Sequence, residues 1–431
     1  MSQRQLLLLN GTIVDPARGM FEPGDLLIQD GRIAQVGTQI RDMAPAAARE
    51  DVAGCLVTPG LIDMHVHLRE PGQEHKETIA TGMAAAVAGG FTTICCMPNT
   101  VPALDNETQI EYVLTQAQRE GTCRVLPFGA ITKGRQGVEL AEMQLMHDAG
   151  AIGFSDDGVG VASAAVMQKA LSYVRMFDGL ISQHCEEPTL SGGAMHAGIT
   201  ALRLGLGGIS AVSEELMIAR DLLLNQRIGA RYHVQHISTA GAVDLIRRAK
   251  QQGQAVTAEV TPHHLLLTDE SCGDYNTHYK MNPPLRSHAD VEACLAGVAD
   301  GTIEVLATDH APHAAEEKEL EFDRAPFGIV GLETALALYA EALVKTNRLN
   351  WLKLIGKMTA APARVLKLRD SGALAVGAPA DITIIDPNKV WKIDPTRFMG
   401  KSRNTPFAGR MVTGQVRMTF VAGRCVYQAT D

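Results

Sequence analysis

The chain has 431 residues, of which 46% are hydrophobic and 20% charged. This globular composition excludes a disordered or collagen-like chain, and the length predicts one large barrel with additions or two to three domains. The net charge of -9 implies no basic surface, so nucleic acid and anionic membranes are poor candidates as partners.

The cysteines and the start of the chain indicate its compartment. None of the eight cysteines forms a C-x-x-C pair, so we expect small buried residues in a reducing environment rather than a disulfide framework. The apolar run at 6–9 is too short for a signal segment, and no later run reaches about 18 apolar residues. We therefore expect a cytoplasmic protein without a membrane span.

Both ends of the chain alternate apolar and polar residues as β-strands do. Near the start, Asn10-Gly11 and Asp30-Gly31 indicate tight turns, and the strand pattern returns from about Gly372. Neither end alone has enough strands to bury a face. We predict one β-sandwich built from residues 1–58 and 369–431, with a different domain over residues 59–368.

The middle of the chain alternates short apolar runs with helix-length segments such as 78–89, 214–226 and 240–253. Eight alternations predict an α/β fold whose parallel sheet closes as a (β/α)8 TIM barrel, and an open doubly wound sheet is the alternative. The predicted strands are 61–68, 91–97, 124–130, 151–154, 180–185, 231–237, 255–260 and 303–308.

Polar residues follow most of these strands, where such a barrel carries its catalytic groups. His65 and His67 are two residues apart, so both face one side of a strand, and two inward imidazoles are costly unless something pairs with them. With the residues after later strands they make the ligand set of a hydrolytic transition metal. Those residues are Asp156, Asp157, His184, His236 and Asp309.

Longer motifs resemble a known family. GLIDMHVHLREPGQEHKE (60–77), with the later histidines and aspartate, resembles the amidohydrolase superfamily. Narrower motifs resemble its long-chain bacterial dihydroorotases over nearly the whole chain. These motifs are GAITKG (129–134), GFSDDG (153–158), HVQHIS (233–238), EVTPHHL (259–265), MNPPLR (281–286), TDHAPH (308–313) and APFGIVGLET (325–334).

The resemblance implies reversible ring closure of N-carbamoyl-L-aspartate to L-dihydroorotate, a step of pyrimidine synthesis. It implies one or two Zn²⁺ ions, with two as our expectation and a hydroxide between them. Asp309 would be catalytic, taking a proton from that hydroxide and delivering it to the ring nitrogen. The implied ligands are His65, His67, Asp157 and Asp309 for one metal and Asp157, His184 and His236 for the other.

Substrate recognition needs cations and amides, because both substrate forms carry carboxylate. Arg69 lies two residues beyond His67, on the same face if the strand continues, and its guanidinium suits bidentate carboxylate binding. The alternative is a surface ion pair of Arg69 with Glu70 or Glu74, and for Asn99 a plain turn beside Pro98. The family pattern gives as substrate-binding residues His67, Arg69, Asn99, Asn282, His313 and the backbone of Phe327 and Gly328.

One departure concerns the fourth strand. Many binuclear amidohydrolases bridge their metals with a carboxylated lysine there, and GAIGFSDDGVG has none. Asp156 and Asp157 point opposite ways if extended, so only one can face the metals, and we expect Asp157, which precedes the glycine turn. His233 is expected on the face opposite to His236 and outside the site.

Other questions stay open on sequence alone. The order of residues 155–162 and 310–326 is one, and the charged run 316–324 suits either a solvated loop or a lid.

An allantoinase or hydantoinase would share the ligand positions but usually keeps the lysine. A deaminase is weakly permitted by HCEE at 184–187, and a non-catalytic scaffold for aspartate transcarbamoylase would be expected to lose metal histidines. A homodimer and a transcarbamoylase partner are further expectations.

Overall fold

A computed structural model describes residues 5–38 and 40–430. Within them the strands fall into two large sheets and one two-stranded sheet. The strands are β1 (Gln5–Asp15), β2 (Met20–Gln29), β3 (Arg32–Gly37), β4 (Ala48–Asp51), β5 (Leu56–Pro59), β6 (Leu61–Val66), β7 (Phe91–Cys96), β8 (Arg124–Gly129), β9 (Gly153–Phe154), β10 (Leu180–Gln183), β11 (Met195–His196), β12 (Gly208–Ile209), β13 (Arg231–Val234), β14 (Val256–Val260), β15 (Val305–Leu306), β16 (Ile382–Lys392), β17 (Met411–Val421) and β18 (Arg424–Gln428).

Helices fill most of the connections between the barrel strands. A π-helical turn, Ala340–Val344, continues one of them. The α-helices are α1 (Ile79–Ala88), α2 (Glu107–Glu120), α3 (Met143–Asp148), α4 (Ala164–Arg175), α5 (Ile199–Leu204), α6 (Ala211–Ile228), α7 (Ala240–Gln251), α8 (Pro262–Leu266), α9 (His288–Asp300), α10 (Ala315–Lys318), α11 (Ala335–Tyr339), α12 (Trp351–Met358) and α13 (Ala360–Leu366). Short 3-10 helices span Arg41–Met43, Lys133–Arg135, Pro188–Leu190, Asp269–Cys272, Thr277–Tyr279 and Pro395–Arg397.

The central sheet is a closed barrel. Its eight parallel strands, β6 to β10 and β13 to β15, lie side by side in chain order. It closes where Val66 pairs with His310 and the His67 N–H donates to the His310 carbonyl at 2.8 Å. Eight parallel strands in sequence order with helices between them are a (β/α)8 barrel. The predicted fold class is confirmed, and an open doubly wound sheet is excluded.

Several barrel strands are shorter than predicted. β6 ends at Val66 rather than 68, β10 at Gln183 rather than 185, and β13 at Val234 rather than 237. In each case a histidine within two residues of the strand end lines the pocket: His67, His184 and His236. The apolar pattern could not show this, because an extended residue and the first residue of a turn look alike in sequence.

The barrel helices begin where the sequence supplies an N-cap. Thr78 and Ser287 form capping boxes at the starts of α1 and α9, so the first free N–H groups of each helix are satisfied. The three helices named from the sequence correspond to α1, α6 and α7 and are confirmed, with ends within three residues of prediction.

The other large sheet joins the two ends of the chain. β5 is the link, because it pairs in parallel with β1 and antiparallel with β16. On β1, Leu7 and Leu8 are both fully buried but belong to different apolar clusters, so this strand is covered on both faces. A β-sandwich from both termini is confirmed. The boundaries at 58/59 and 368/369 stay predictions, and β5 itself runs through Pro59.

The turn predicted at Asn10-Gly11 is wrong. The pair lies inside β1, where the pairing with β2 shifts between Leu8 and Gly11 as a β-bulge. Asn10 has a φ of 63°, and its side chain donates to Asp51 Oδ1 at 2.9 Å. An Asn-Gly pair suits a bulge as well as a turn, because both need positive φ. Asp30-Gly31 does form the turn between β2 and β3.

The cysteines are buried as expected except at one position. All eight cysteines are free, and Cys425 alone is exposed. Among the described residues, no helix has the length and apolar character that a membrane crossing requires.

Candidate metal centre and substrate pocket

Four histidines meet at the C-terminal end of the barrel strands. His65 lies in β6 and His67 directly follows it, with 5.4 Å between the ring centroids. His184 follows β10 and His236 follows β13, and their centroids are 4.8 Å apart. His65 and His236 are 5.1 Å apart, which joins the two pairs. The structure therefore brings the predicted histidine ligands together.

Asp157 lies between the two histidine pairs. Its Oδ1 is 3.3 Å from His65 Nε2 and its Oδ2 is 3.5 Å from His67 Nε2. The same Oδ1 is 3.8 Å from His184 Nδ1 and 3.9 Å from His236 Nε2. His65, His67 and Asp157 make one group that could hold a metal ion, and Asp157, His184 and His236 make a second. One carboxylate thus belongs to both groups.

Two of these atoms have no hydrogen bond. His65 Nε2 and Asp157 Oδ1 are buried and 3.3 Å apart, and neither is hydrogen-bonded to any residue of 5–38 or 40–430. An unsatisfied buried polar group costs about 1–3 kcal/mol. A cation between the two atoms would satisfy both, and imidazole nitrogen with carboxylate oxygen is a donor set that zinc accepts. The residues therefore fit a transition-metal centre.

The neighbouring Asp156 turns away from the histidines. Its Oδ1 accepts the N–H groups of Ile131 and Thr132 at 2.8 and 3.0 Å. The Thr132 hydroxyl donates to the other oxygen. Asp156 thus fixes the turn after β8, and Asp157 is the aspartate that faces the histidines.

Asp309 joins the group where the barrel closes. Its Oδ1 lies 3.0 Å from His67 Nε2 and 3.5 Å from His65 Nε2. Its φ of 49° is in the left-handed region, which a non-glycine residue occupies only when its surroundings hold it there. Asp309 is 7% exposed and borders the pocket, so its carboxylate can exchange a proton with a bound molecule.

Burial and mutual charge fix the protonation of these groups. Burial alone would raise the pKa of Asp309, but His65 and His67 hold it below its usual value. The same histidines overcome burial at Asp157 and hold its pKa well below the usual value. Burial lowers the pKa of His236 to about 3, and the nearby imidazoles add to that effect. Burial alone would lower the pKa of His65, but Glu259 and Asp157 raise it well above its usual value. A metal ion at His65 would therefore displace a proton, because ionised carboxylates and neutral imidazoles are the forms that bind metals.

A cavity of about 170 Å³ opens above the metal-facing groups. Gly158 and Ala311 line it without having been predicted, and His65 lies beneath its surface. Every other predicted site residue contributes to the lining. These residues are His67, Arg69, Asn99, Asp157, His184, His236, Asn282, Asp309, His313, Phe327 and Gly328.

Arg69 reaches the pocket through a turn. β6 ends at Val66 and Arg69 has a φ of 62°, so the expectation that the strand carries it on the face of His67 is wrong. Its Nε donates to the Pro312 carbonyl at 3.1 Å, and its Nη2 is 3.4 Å from His313 Nε2. In the described part of the chain no ion pair joins Arg69 to a glutamate. Arg69 is 8% exposed and lines the cavity.

Two asparagines tie the metal-facing groups to the pocket wall. Asn99 Oδ1 lies 2.8 Å from His67 Nδ1, and Asn99 Nδ2 donates to Asp157 Oδ2 at 3.2 Å. Asn282 Nδ2 donates to Glu186 Oε2 at 3.1 Å. Asn99 therefore orients two candidate ligands and is more than a turn residue.

A buried lysine holds the wall made by Phe327 and Gly328. Lys318 Nζ donates to the carbonyls of Pro326 and Gly328 at 2.8 and 3.1 Å. Burial and the nearby Lys280 lower its pKa to about 7. The charged run 316–324 is thus not a wholly solvated loop, since Lys318 is 5% exposed. A lid role for the run stays a prediction.

Asn404 joins the same wall from the far end of the chain. Its Nδ2 donates to the carbonyls of Ala311 and Gly328 at 3.0 and 3.1 Å. Its Oδ1 accepts the His313 N–H at 3.1 Å. A residue from the predicted C-terminal β-part therefore fastens two pocket loops together.

Two carboxylates that lie behind the histidines were not predicted from the sequence. Glu259 Oε1 lies 2.6 Å from His65 Nδ1, and Glu186 Oε2 lies 3.4 Å from His184 Nε2. A signal for Glu259 existed, because a glutamate inside the apolar run AVTAEV is costly unless it is paired.

The expectation that His233 lies on the strand face opposite to His236 is also wrong, although His233 does not line the cavity. His233 Nε2 lies 3.1 Å from Glu259 Oε2 inside the barrel. β13 ends at Val234 and His236 has a φ of 26°, so strand alternation no longer relates His233 to His236.

Comparisons with known proteins agree on one family. Residues 54–242 match the profile described as dihydro-orotase-like, and residues 325–427 match an amidohydrolase family. A protein of Pelotomaculum thermopropionicum named dihydroorotase is 52% identical over 98% of this chain and 99% of its own length. A dihydroorotase of Syntrophotalea carbinolica is 49% identical over 99% of this chain and 100% of its own.

Solved structures of similar fold carry other names. An L-hydantoinase from Arthrobacter aurescens superposes with a TM-score of 0.87 at 27% identity, covering 98% of this chain and 96% of that one. A D-hydantoinase superposes with a TM-score of 0.85 at 24% identity, covering 98% and 95%. The second likeness shows the fold alone.

Proposed function

This chain belongs to the dihydroorotase family of the amidohydrolase superfamily, and from that membership we propose that Asp157 joins two zinc ions in its active site. The chain interconverts N-carbamoyl-L-aspartate and L-dihydroorotate, a cyclic-amide hydrolysis of pyrimidine synthesis. The observation that carries the metal proposal is the place of Asp157, within 3.9 Å of four imidazole nitrogens.

The proposed metal ligands form two sets that share Asp157. When bound, the ions polarise the amide carbonyl and lower the pKa of water. The unpaired His65 Nε2 and Asp157 Oδ1 support this assignment, because a cation satisfies both. The first set is His65, His67, Asp157 and Asp309, and the second is Asp157, His184 and His236.

Asp309 moves the proton in this proposal. During hydrolysis its carboxylate takes a proton from the water whose oxygen adds to the ring amide carbon. As the C–N bond breaks, Asp309 passes that proton to the leaving ring nitrogen. Ring closure reverses both transfers. The position of Asp309 at the pocket edge supports the role of base, and its lowered pKa keeps the carboxylate in the ionised form that a base needs.

The part of the pocket wall that contains Arg69 and His313 is proposed to bind substrate carboxylate. Arg69 offers a guanidinium, and the His313 ring, whose Nε2 is 2.7 Å from the Phe327 carbonyl, lies on the same side of the cavity. Asn99 and Asn282 add amides, and the backbone at 327–328 closes the pocket. Hydantoins lack the carboxylate that this wall would bind, so Arg69 favours dihydroorotate.

The test compares substrates and metal states in one preparation. Turnover of L-dihydroorotate, a 5-substituted hydantoin and allantoin is measured before chelation, after chelation and after Zn²⁺ is restored. We expect dihydroorotate turnover to vanish and return with zinc and to exceed the other two. Preference of the zinc-restored chain for hydantoin or allantoin would instead support the hydantoinase or allantoinase alternative.

A homodimer and a complex with aspartate transcarbamoylase complete the proposal. All the proposed ligand and carboxylate-binding residues are present in this chain, which disfavours a purely non-catalytic scaffold. The molecular mass in solution tests the dimer. Turnover with and without added transcarbamoylase tests the second partner, and activity of the chain alone would show that the partner is dispensable.

A further inference from the structure

Glu259 lies at the end of β14, beneath the metal-facing histidines. Its Oε1 is 2.6 Å from His65 Nδ1 and also accepts the His236 N–H at 3.3 Å. Its Oε2 is 3.1 Å from His233 Nε2. Three nitrogens therefore converge on one carboxylate that is 1% exposed.

The charge of Glu259 is balanced by no lysine or arginine. Among the described residues, its ion pairs are with His65 and His233 only. A buried carboxylate is strongly destabilising unless it is hydrogen-bonded and neutralised. The neutralising charge must therefore reach it through an imidazole, from a proton on His65 in the metal-free chain or from the proposed metal bound at His65 Nε2.

The carboxylate also fixes which nitrogen of each ring carries hydrogen. An ionised glutamate only accepts, so His65 donates from Nδ1, which leaves Nε2, 3.3 Å from Asp157 Oδ1, as the nitrogen that would bind a metal ion. His233 donates from Nε2 to Glu259, and its Nδ1 accepts from the Thr257 hydroxyl at 2.8 Å. Thr257 thus orients His233, His233 orients Glu259, and Glu259 in turn orients His65.

We propose that Glu259 is the common anchor of both metal sites, an inference that rests on the proposed two-metal function. In the first site it fixes the tautomer and orientation of His65. In the second it holds the backbone of His236, whose φ of 26° needs such support. Because one carboxylate supports a ligand in each group, its loss weakens both metals together. His233 is a positioning residue one step further out.

The decisive variant is Glu259→Gln. It keeps the shape of the side chain but cannot accept hydrogen bonds from both His65 and His233. Metal retained per chain is measured after dialysis against graded chelator, and the visible spectrum is recorded on cobalt-loaded protein. We expect both ions to leave in one step at about 10–100-fold lower chelator concentration, with an altered cobalt spectrum.

Matched variants separate positioning from general damage. His233→Phe removes a donor to Glu259, so it should weaken metal retention in the same direction but less. His233→Gln restores a donor and should recover part of the loss. Asp221→Asn alters another fully buried carboxylate, which binds Arg220 and Tyr232 at 2.8 Å, and should retain metal as the unaltered chain does.

The outcomes distinguish this inference from the function on which it rests. Failure of the unaltered chain to hold metal overturns the metal centre and the anchor together. Wild-type retention by Glu259→Gln, loss of only one ion, or an equal loss in Asp221→Asn overturns the anchor alone. If Glu259→Gln does not fold, equal retention by His233→Phe, His233→Gln and the unaltered chain overturns it.

Discussion

The two sides of the pocket are built in different ways. The floor, defined as His65, His67, Asp157, His184 and His236, lies in barrel strands or within three residues of their C-terminal ends. The rim, defined as Arg69, Asn282, His313, Phe327 and Gly328, lies on loops. The floor is held from beneath by Glu259, and the rim is held from outside by Lys318 and Asn404.

This difference assigns separate tasks to the two sides. Closely spaced imidazoles and carboxylates need rigid support, which strand ends and a buried glutamate supply. Loops fastened by side chain to backbone hydrogen bonds can fit a substrate and release it. Changes in the floor should therefore alter metal binding and turnover, and changes in the rim should alter KM and stability while the metals stay bound.

Asp309 lies between the floor and the rim, and Asp309→Asn should cause the largest loss of turnover among these variants. The amide cannot take the proton from water, so kcat should fall about 10²–10⁴-fold while the fold persists. Steady-state kinetics and circular dichroism measure the two quantities. Substantial turnover in the variant would remove Asp309 from the proton transfer.

Arg69→Ala tests the rim where the substrate carboxylate is expected. Loss of a charge-assisted hydrogen bond is worth about 1.5–3 kcal/mol, so KM for L-dihydroorotate should rise about 10–100-fold, with kcat less affected. Metal content should not change. Arg69→Lys is the matched control and should recover part of the loss, because lysine keeps the charge but not the fork. A wild-type KM in the alanine variant would contradict the carboxylate role.

Asn404→Ala probes the rim without touching the cavity lining. Removing its amide leaves the Ala311 carbonyl and the His313 N–H without this partner, while the Gly328 carbonyl keeps only Lys318. The free energy of unfolding should fall by about 1–3 kcal/mol and KM should rise, while both metals stay bound. Denaturant unfolding and metal analysis on one sample measure this. Metal loss from this variant would contradict the separation of rim from floor.

Lys318→Met should have the smallest effect, visible as a change in pH dependence. The pKa of Lys318 is lowered to about 7, so the folded chain binds fewer protons than the unfolded chain between about pH 7 and the ordinary lysine pKa. Stability from this residue therefore rises with pH across that window. Groups nearby are Lys280, which lowers the pKa, and Glu317, which raises it.

The methionine variant should lose that contribution. Its free energy of unfolding should therefore increase less between about pH 7 and pH 10 than that of the unaltered chain. Denaturant unfolding at several pH values measures it. Lys345→Met, at an exposed lysine, is the control and should follow the unaltered chain. Parallel pH curves for Lys318→Met and the unaltered chain would contradict the pKa assignment.

The sequence predicted the barrel and the place of the floor because both rest on short-range patterns. Strand alternation places His65 and His67 on one face, and a polar residue after an apolar strand is visible in the chain itself. The predicted ends of the strands were less accurate. Arg69 and His236 take positive φ, and no composition pattern reports that.

The supports of the site could not be predicted in the same way. Asn404 is 91 residues from His313, and Lys318 binds carbonyl groups, which every residue type offers. Glu259 was visible as a carboxylate in an apolar strand, but its partners depend on the register of neighbouring strands. Contacts of this kind follow from the closed barrel and not from local sequence.

The central claim is that Asp157 joins two metal ions, and metal content with turnover in two neighbouring variants tests it most directly. Zinc per chain and L-dihydroorotate turnover are measured for the unaltered chain, Asp157→Asn and Asp156→Asn after equilibration with limiting free zinc. We predict two ions in the unaltered chain and in Asp156→Asn, and at most one ion with no turnover in Asp157→Asn. Two tightly held ions and normal turnover in Asp157→Asn would contradict the claim.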